Sequence, residues 1–130
     1  MTLYEIKEIL DAVIIVGEDQ LTREAEMAFA ADLMSDVLAL AKPGSLLLTG
    51  LTNPQVVRTS DILDIVAIIL VRGKIPPKET IELAKELKIP ILSTSFILFE
   101  ASGRLYEKGI VGCISRIDST VLNFSRSESH

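Results

Sequence analysis

Few residues of this 130-residue chain have side chains suited to covalent or metal chemistry. The only histidine, His130, is the last residue, so we expect no Ser-His-Asp or Cys-His group built around a fixed imidazole. The only cysteine, Cys113, lies in a predicted strand, which favours a core residue over a nucleophile. Asp32 and Asp36 have no further ligand nearby in sequence, which favours a helix cap and an exposed charge. The sequence therefore predicts no catalytic residue, no metal site and no cofactor.

Phosphoryl-transfer chemistry of the P-loop type is excluded as well. Arg72-Gly73-Lys74 lacks the upstream glycine of the GxxxxGK[ST] motif. An enzyme that uses only Asp and Thr side chains is the weakest alternative, because acid–base catalysis usually recruits a positioned His, Glu or Lys.

Two polar clusters follow predicted strands, where α/β sheets place their ligands. The first is Thr49-Gly50-Leu51-Thr52-Asn53, which leads into a helix whose free N–H groups and dipole favour an anion. The second is Ser93-Thr94-Ser95, and Arg58, Arg72 and Lys74 could add positive charge. The predicted ligand-binding residues are Thr49, Gly50, Thr52, Asn53, Arg72, Lys74, Ser93 and Thr94.

The same residue types have a simpler interpretation. Ser, Thr and Asn are common helix caps, and Gly is common in turns, so each cluster taken alone favours a cap. The case for a ligand pocket depends on several strand ends meeting at one edge of a sheet.

Short apolar segments alternate with longer amphipathic ones, which is typical of a parallel α/β sheet. The predicted helices cover 3–10, 33–40, 54–63, 78–87 and a segment ending near 106. The predicted caps of the first three helices are Thr2, Asp32 and Asn53. The predicted strands cover 12–16, 46–48, 65–71, 90–92 and 110–114. We expect the strands at 12–16 and 65–71 to be buried.

Residues 25–31 fit two structures. Ala25, Met27, Phe29 and Ala31 alternate with other residues as in a strand, but a helix running through to Ala41 competes. The expected architecture is a single three-layer α/β domain over residues 3–118, with a mostly parallel sheet flanked by helices. Residues 119–130 are polar and Ser-rich, and we expect a frayed tail there.

Composition and charge exclude several partners. The net charge is −5, the pI is about 4.9 and no basic stripe is present, so nucleic-acid binding is not expected. The longest apolar stretch, Ile62 to Val71, has ten residues, includes Asp64 and is too short to span a membrane. Acidic residues near Met1 argue against a signal peptide, and a single cysteine fits a reducing compartment. We therefore expect a cytoplasmic location.

The hydrophobic content suggests self-association. Apolar residues make up 48% of the chain, and the mean hydropathy is +0.41. A small domain has little interior for such an excess, so we expect part of it in a homodimer interface. A core rich in Ile, Leu and Val is the alternative.

Several segments together resemble the DRTGG domain family. The resemblance covers about residues 3–112, although the literal Asp-Arg-Thr-Gly-Gly string is absent. It is carried by Ala31-Asp32-Leu33-Met34-Ser35-Asp36-Val37-Leu38, Leu47-Leu48-Thr49-Gly50-Leu51, Ile68-Ile69-Leu70-Val71-Arg72-Gly73-Lys74-Ile75-Pro76, residues 84–90 and Thr94.

The resemblance implies a non-catalytic role. Such domains are similar to the N-terminal domain of HPr kinase/phosphorylase, and they occur beside CBS domains in regulated pyrophosphatases, with nucleotide regulation and dimer contacts. The leading hypothesis is thus a homodimeric regulatory module that binds a nucleotide or another small anion at the strand ends. The alternative is a non-catalytic interaction or dimerisation subunit without a small ligand.

Overall fold

The computed structural model describes residues 1–117, and its elements follow the predicted alternation of strands and helices. The helices are α1 (Leu3–Ile9), α2 (Met34–Leu40), α3 (Pro54–Ile62), α4 (Lys78–Leu87) and α5 (Leu98–Glu107), with a 3₁₀ turn at Glu18–Gln20. The strands are β1 (Val13–Val16), β2 (Met27–Ala30), β3 (Leu46–Thr49), β4 (Ala67–Leu70), β5 (Ile91–Ser93) and β6 (Val111–Gly112). The predicted tail at 119–130 lies outside the described residues.

The six strands form one sheet in the order β1-β5-β4-β3-β2-β6. Every pair is parallel except β1 with β5, which is antiparallel. One face packs against α1 and α5 through side chains such as Leu48 and Ile69, and the other packs against α2, α3 and α4 through Leu47 and Ile68. The predicted α/β fold with a mostly parallel sheet is confirmed.

Local sequence explains several element ends. Thr2 caps α1 as predicted, and Glu5 completes a capping box with it. Residues 25–31 contain a strand and not a helix, because β2 pairs with β3 on one side and with β6 on the other.

Cys113 is buried directly after β6, in agreement with a core residue, although the strand itself is shorter than predicted.

Two local predictions are wrong. The strand at 12–16 was expected to be buried, but β1 is an edge strand and Val13 is 56% exposed. Asp32 was expected to cap α2, but the cap position is occupied by Leu33, which makes no side-chain cap bond. The Asp32 carboxylate instead accepts hydrogen bonds from the turn after β3.

Within residues 1–117, no helix has the length and apolar character needed to cross a membrane. The same residues contain no group of three or more His, Cys, Asp or Glu side chains arranged to hold a metal ion.

Candidate functional site

Strands β2 to β5 run parallel, so the residues that follow them meet at one edge of the sheet. Asp32 follows β2, Gly50 follows β3, Arg72 follows β4 and Thr94 follows β5. After β4 the chain enters α4 on one face, whereas after β5 it enters α5 on the other. Ligands of α/β proteins bind outside the carboxyl ends of the strands near such a change of face, which lies here between β4 and β5.

Asp32 is bound to the turn after β3. The Thr49 hydroxyl donates to Asp32 Oδ1 at 2.9 Å, and the Gly50 N–H donates to the same oxygen at 2.7 Å. The pKa of Asp32 lies below its ordinary value of 3.8, mainly because of the hydrogen bond from the Gly50 N–H. The Thr49 hydroxyl and the Arg72 charge lower this pKa further, whereas partial desolvation of the carboxylate opposes the shift. The turn thus carries a fixed negative charge at neutral pH.

Arg72 lies over this turn. A Cβ added to Gly50 would be 2.5 Å from Arg72 Nη2, so glycine at this position makes room for the guanidinium. Arg72 has a positive φ of 60°, and its N–H donates to the Phe96 carbonyl at 2.8 Å. The Gly73 N–H donates to the Thr94 carbonyl at 2.8 Å. These two bonds fix the turn after β4 against the turn after β5.

The N-terminus of α3 begins beside the same turn. Asn53 occupies the cap position as predicted, but its exposed side chain makes no cap hydrogen bond. Thr52 is held through its carbonyl, which accepts from the buried Thr80 hydroxyl at 2.7 Å. Pro54 has no N–H, and the Val56 N–H donates to the Asn53 carbonyl at 3.1 Å. The Asn53 side-chain amide and the Gln55 N–H are left open to an external acceptor.

In the second predicted cluster, Ser93 and Thr94 turn their hydroxyls inward, whereas Ser95 is exposed. Ser93 is buried, and its hydroxyl donates to the Lys74 carbonyl at 2.7 Å. Thr94 is fully buried; its hydroxyl donates to the Leu10 carbonyl at 2.7 Å and accepts from the Phe96 N–H at 3.2 Å. Both side chains hold the backbone near the edge, whereas the Lys74 side chain is exposed there.

The structure thus brings Thr49, Gly50 and Arg72 together, with Asn53 following in the same turn. Arg58 lies apart, in a surface pocket of about 290 Å³ that also includes Glu79. Asp32 was missed as a site residue. Its position after β2, at the same edge as the other turns, could have indicated it once residues 25–31 were taken as a strand.

The lowered pKa of Asp32 makes the stability of the folded protein depend on pH. Because its folded pKa is lowered, its contribution is present above pH 3.8 and is lost as the pH falls through the folded pKa. We expect Asp32→Asn to lower the free energy of unfolding at pH 7 and the gap to the wild type to narrow as the pH falls below 3.8. Urea unfolding at a series of pH values from neutral downwards measures this.

The matched change for that experiment is Asp61→Asn on α3. The Asp61 carboxylate makes no hydrogen bond or ion pair with other residues in the described range 1–117. Its loss should change stability at pH 7 by less than the loss of the Asp32 charge. An equal effect of the two variants would contradict the role given to Asp32.

Comparison with known proteins identifies the family to which this fold belongs. Residues 5–107 match the DRTGG domain, and the chain is a member of that family. Among curated proteins none matches the chain.

A solved structure also resembles the fold. It contains the CBS and DRTGG domains of the regulatory region of Clostridium perfringens pyrophosphatase, complexed with the activator diadenosine tetraphosphate. The two are 20% identical with a TM-score of 0.69, and the match covers 99% of this chain. The chain spans 60% of the length of that structure's chain. At this identity the likeness shows a shared fold.

Proposed function

We propose that the chain is a regulatory module that binds a nucleotide at the turns after β3 and β4. The observation that carries the proposal is the Arg72 guanidinium over Gly50, next to a helix start that the Asn53 side chain leaves uncapped. A guanidinium and a helix N-terminus both attract phosphate oxygens. Family membership and the nucleotide activator in the similar regulatory region support the same class of function.

Asp32 favours a nucleotide over a simple inorganic anion. Its Oδ1 already accepts the Gly50 N–H, so a phosphate would bind at Arg72, the Asn53 amide and the Gln55 N–H. Oδ2 accepts no hydrogen bond from the described residues and could accept one from a ribose hydroxyl or a base amino group. Only a ligand with both anionic oxygens and hydrogen-bond donors can bind the positively charged groups and the Asp32 carboxylate at the same time. Lys74 adds a second positive charge at the edge.

We also propose that the chain is not itself an enzyme, that it acts as a homodimer, and that it works in the cytoplasm. The sequence supports the first point, because the only histidine is His130 and no P-loop motif is present. A single cysteine, Cys113, fits a reducing compartment. The likeness to the N-terminal domain of HPr kinase/phosphorylase stays a prediction.

The ligand proposal is tested by thermal and calorimetric titration with ATP, AMP and diadenosine tetraphosphate, with inorganic phosphate as the comparison. Ligand at 100 times its Kd stabilises a folded protein by about 2.7 kcal/mol. We expect stabilisation by a nucleotide and at least a tenfold weaker Kd in Arg72→Ala and Asn53→Ala, which is a loss of about 1.4 kcal/mol or more.

Arg23→Ala is the matched control, because Arg23 is an exposed arginine in a surface pocket with Asp61, at the end of α3 opposite to Asn53. Nucleotide binding should survive it. No stabilisation by any nucleotide at millimolar concentration would contradict the proposal. Binding that survives Arg72→Ala and Asn53→Ala would contradict the site.

The alternative function, an interaction subunit, has an observation of its own in its favour. Phe99 and Tyr106 on α5 are 85% and 71% exposed, which is unusual for large aromatic side chains. This surface can serve a module that binds a ligand as well as one that does not.

A further inference from the structure

The outward side of α5 carries a stripe of three residues. Phe99, Gly103 and Tyr106 are spaced four and three residues apart, so they lie on one side of the helix. Ala101 and Leu105 are buried against the sheet on the other side. The two aromatic side chains therefore flank an exposed glycine in the middle of a helix.

No contact within residues 1–117 requires a glycine at position 103. A Cβ added there would meet no atom of this part of the chain within 4 Å. Glycine is a poor helix former, so an alanine would favour the helix more. A glycine in such a place is useful when the backbone of another helix approaches closely.

An apolar groove of about 260 Å³ runs beside the stripe. Ala28, Ala30 and Leu48 of the sheet line it together with Leu105 and Tyr106 of α5. The groove lies towards the edge strand β6, where Val111 is also exposed. Tyr106 thus belongs to both the groove and the stripe.

We infer that α5 packs against α5 of a second copy of this chain, antiparallel about a two-fold axis, with Gly103 at the crossing. In this arrangement Phe99 of each copy meets Tyr106 and the mouth of the groove on the other copy. A two-fold axis makes the contact self-complementary and closed, so it yields a dimer. The inference rests on the proposed self-association and names its surface.

Charge supports a second copy as the occupant. The chain carries a net charge of −5, which opposes self-association in general. The charged residues of this part of the chain are Glu100, Arg104, Glu107 and Lys108, and their charges cancel. Two copies can therefore meet through α5 without bringing net charge together.

The surface area available on α5 also supports a second copy of the chain as the occupant. Four aromatic side chains, two from each copy, would bury about 600 Å² at this contact. Exposed Ile97 and Val111 lie at either end of the stripe and can extend it. The total then reaches about 1,000 Å², which is the lower limit for a specific interface.

Sedimentation at about 1 to 100 μM tests the interface by measuring the dimer Kd. We expect the wild type to dimerise and Phe99→Glu to raise the Kd at least about tenfold. Ile62→Glu is the matched control, because Ile62 is 69% exposed on α3, which packs on the opposite face of the sheet. A wild-type monomer at 100 μM overturns both this interface and the proposed self-association. A dimer equally tight in both variants overturns the interface alone.

Gly103→Ala separates the interface from a folding defect. At concentrations where the protein is monomeric, alanine should raise the Tm by about 3–5 °C because it favours the helix. The same variant should weaken the dimer, since its Cβ occupies the crossing. A higher Tm with an unchanged dimer Kd overturns the inference. Neither result depends on nucleotide binding, which Phe99→Glu should leave intact.

Discussion

Thr94→Val is expected to lower the free energy of unfolding by about 2–4 kcal/mol, because it leaves two polar groups without partners. The Thr94 hydroxyl donates to the Leu10 carbonyl at the end of α1 and accepts from the Phe96 N–H. Valine keeps the volume of threonine but makes neither bond. Urea unfolding measures the loss, and an unchanged m-value would show that the denatured state is unaffected.

The consequence of Thr94→Val should extend to the candidate site. The N–H groups of Arg72 and Gly73 donate to the carbonyls of Phe96 and Thr94, so the turn after β4 depends on the turn after β5. We expect faster hydrogen exchange at the amides of Arg72 and Gly73 in the variant. Protection that stays at its wild-type level would contradict this coupling.

Ser45→Ala is the control for Thr94→Val. Ser45 is also fully buried, but its hydroxyl has no hydrogen-bond partner among the described residues. Its removal should change the free energy of unfolding by less than about 1 kcal/mol. Equal losses in the two variants would show that burial, and not the hydrogen bonds of Thr94, sets the cost.

The general fold could be predicted from the sequence because its signals are local. Apolar β-branched residues and helical spacing follow each other along the chain, and a parallel sheet between helix layers is the arrangement that buries both. The exposure of Val13 could not be predicted in the same way. An apolar edge strand has the same composition as a buried strand. The difference shows only in the strand order, where β1 has a single neighbour, β5.

The sequence predicts which turns form the edge of the sheet that carries the candidate site, but not the contacts that their side chains make. The sequence located the turns at Gly50, Arg72 and Thr94, because each follows a strand. It did not indicate which hydroxyls turn inward, since the partner of Thr94 is Leu10, which is 84 positions away. Asp32 was assigned to a cap by its local position, whereas its actual partners are Thr49 at the end of the neighbouring strand β3 and Gly50 directly after it. Such partners depend on strand order, which no local pattern encodes.

Gly17→Ala is expected to destabilise the fold by about 2–4 kcal/mol, because two separate costs apply. Gly17 has a φ of 95°, and an added Cβ would lie 2.9 Å from both Cα and Cβ of Pro90. Gly17 follows β1 and Pro90 precedes β5, and their neighbours Val16 and Ile91 pair with each other. Neither backbone can therefore move away from the added Cβ without disturbing this pairing. The midpoint of urea unfolding measures the effect.

Gly73→Ala isolates the conformational part of that cost. Gly73 also has a positive φ, 66°, but an added Cβ would meet no atom of the described residues within 4 Å. Its replacement should therefore cost only about 1 kcal/mol, from the left-handed backbone alone. The difference between the two variants then measures the close approach to Pro90. If both variants lose the same stability, the backbone conformation alone explains the glycine at position 17, and the tight packing of β1 against Pro90 contributes nothing.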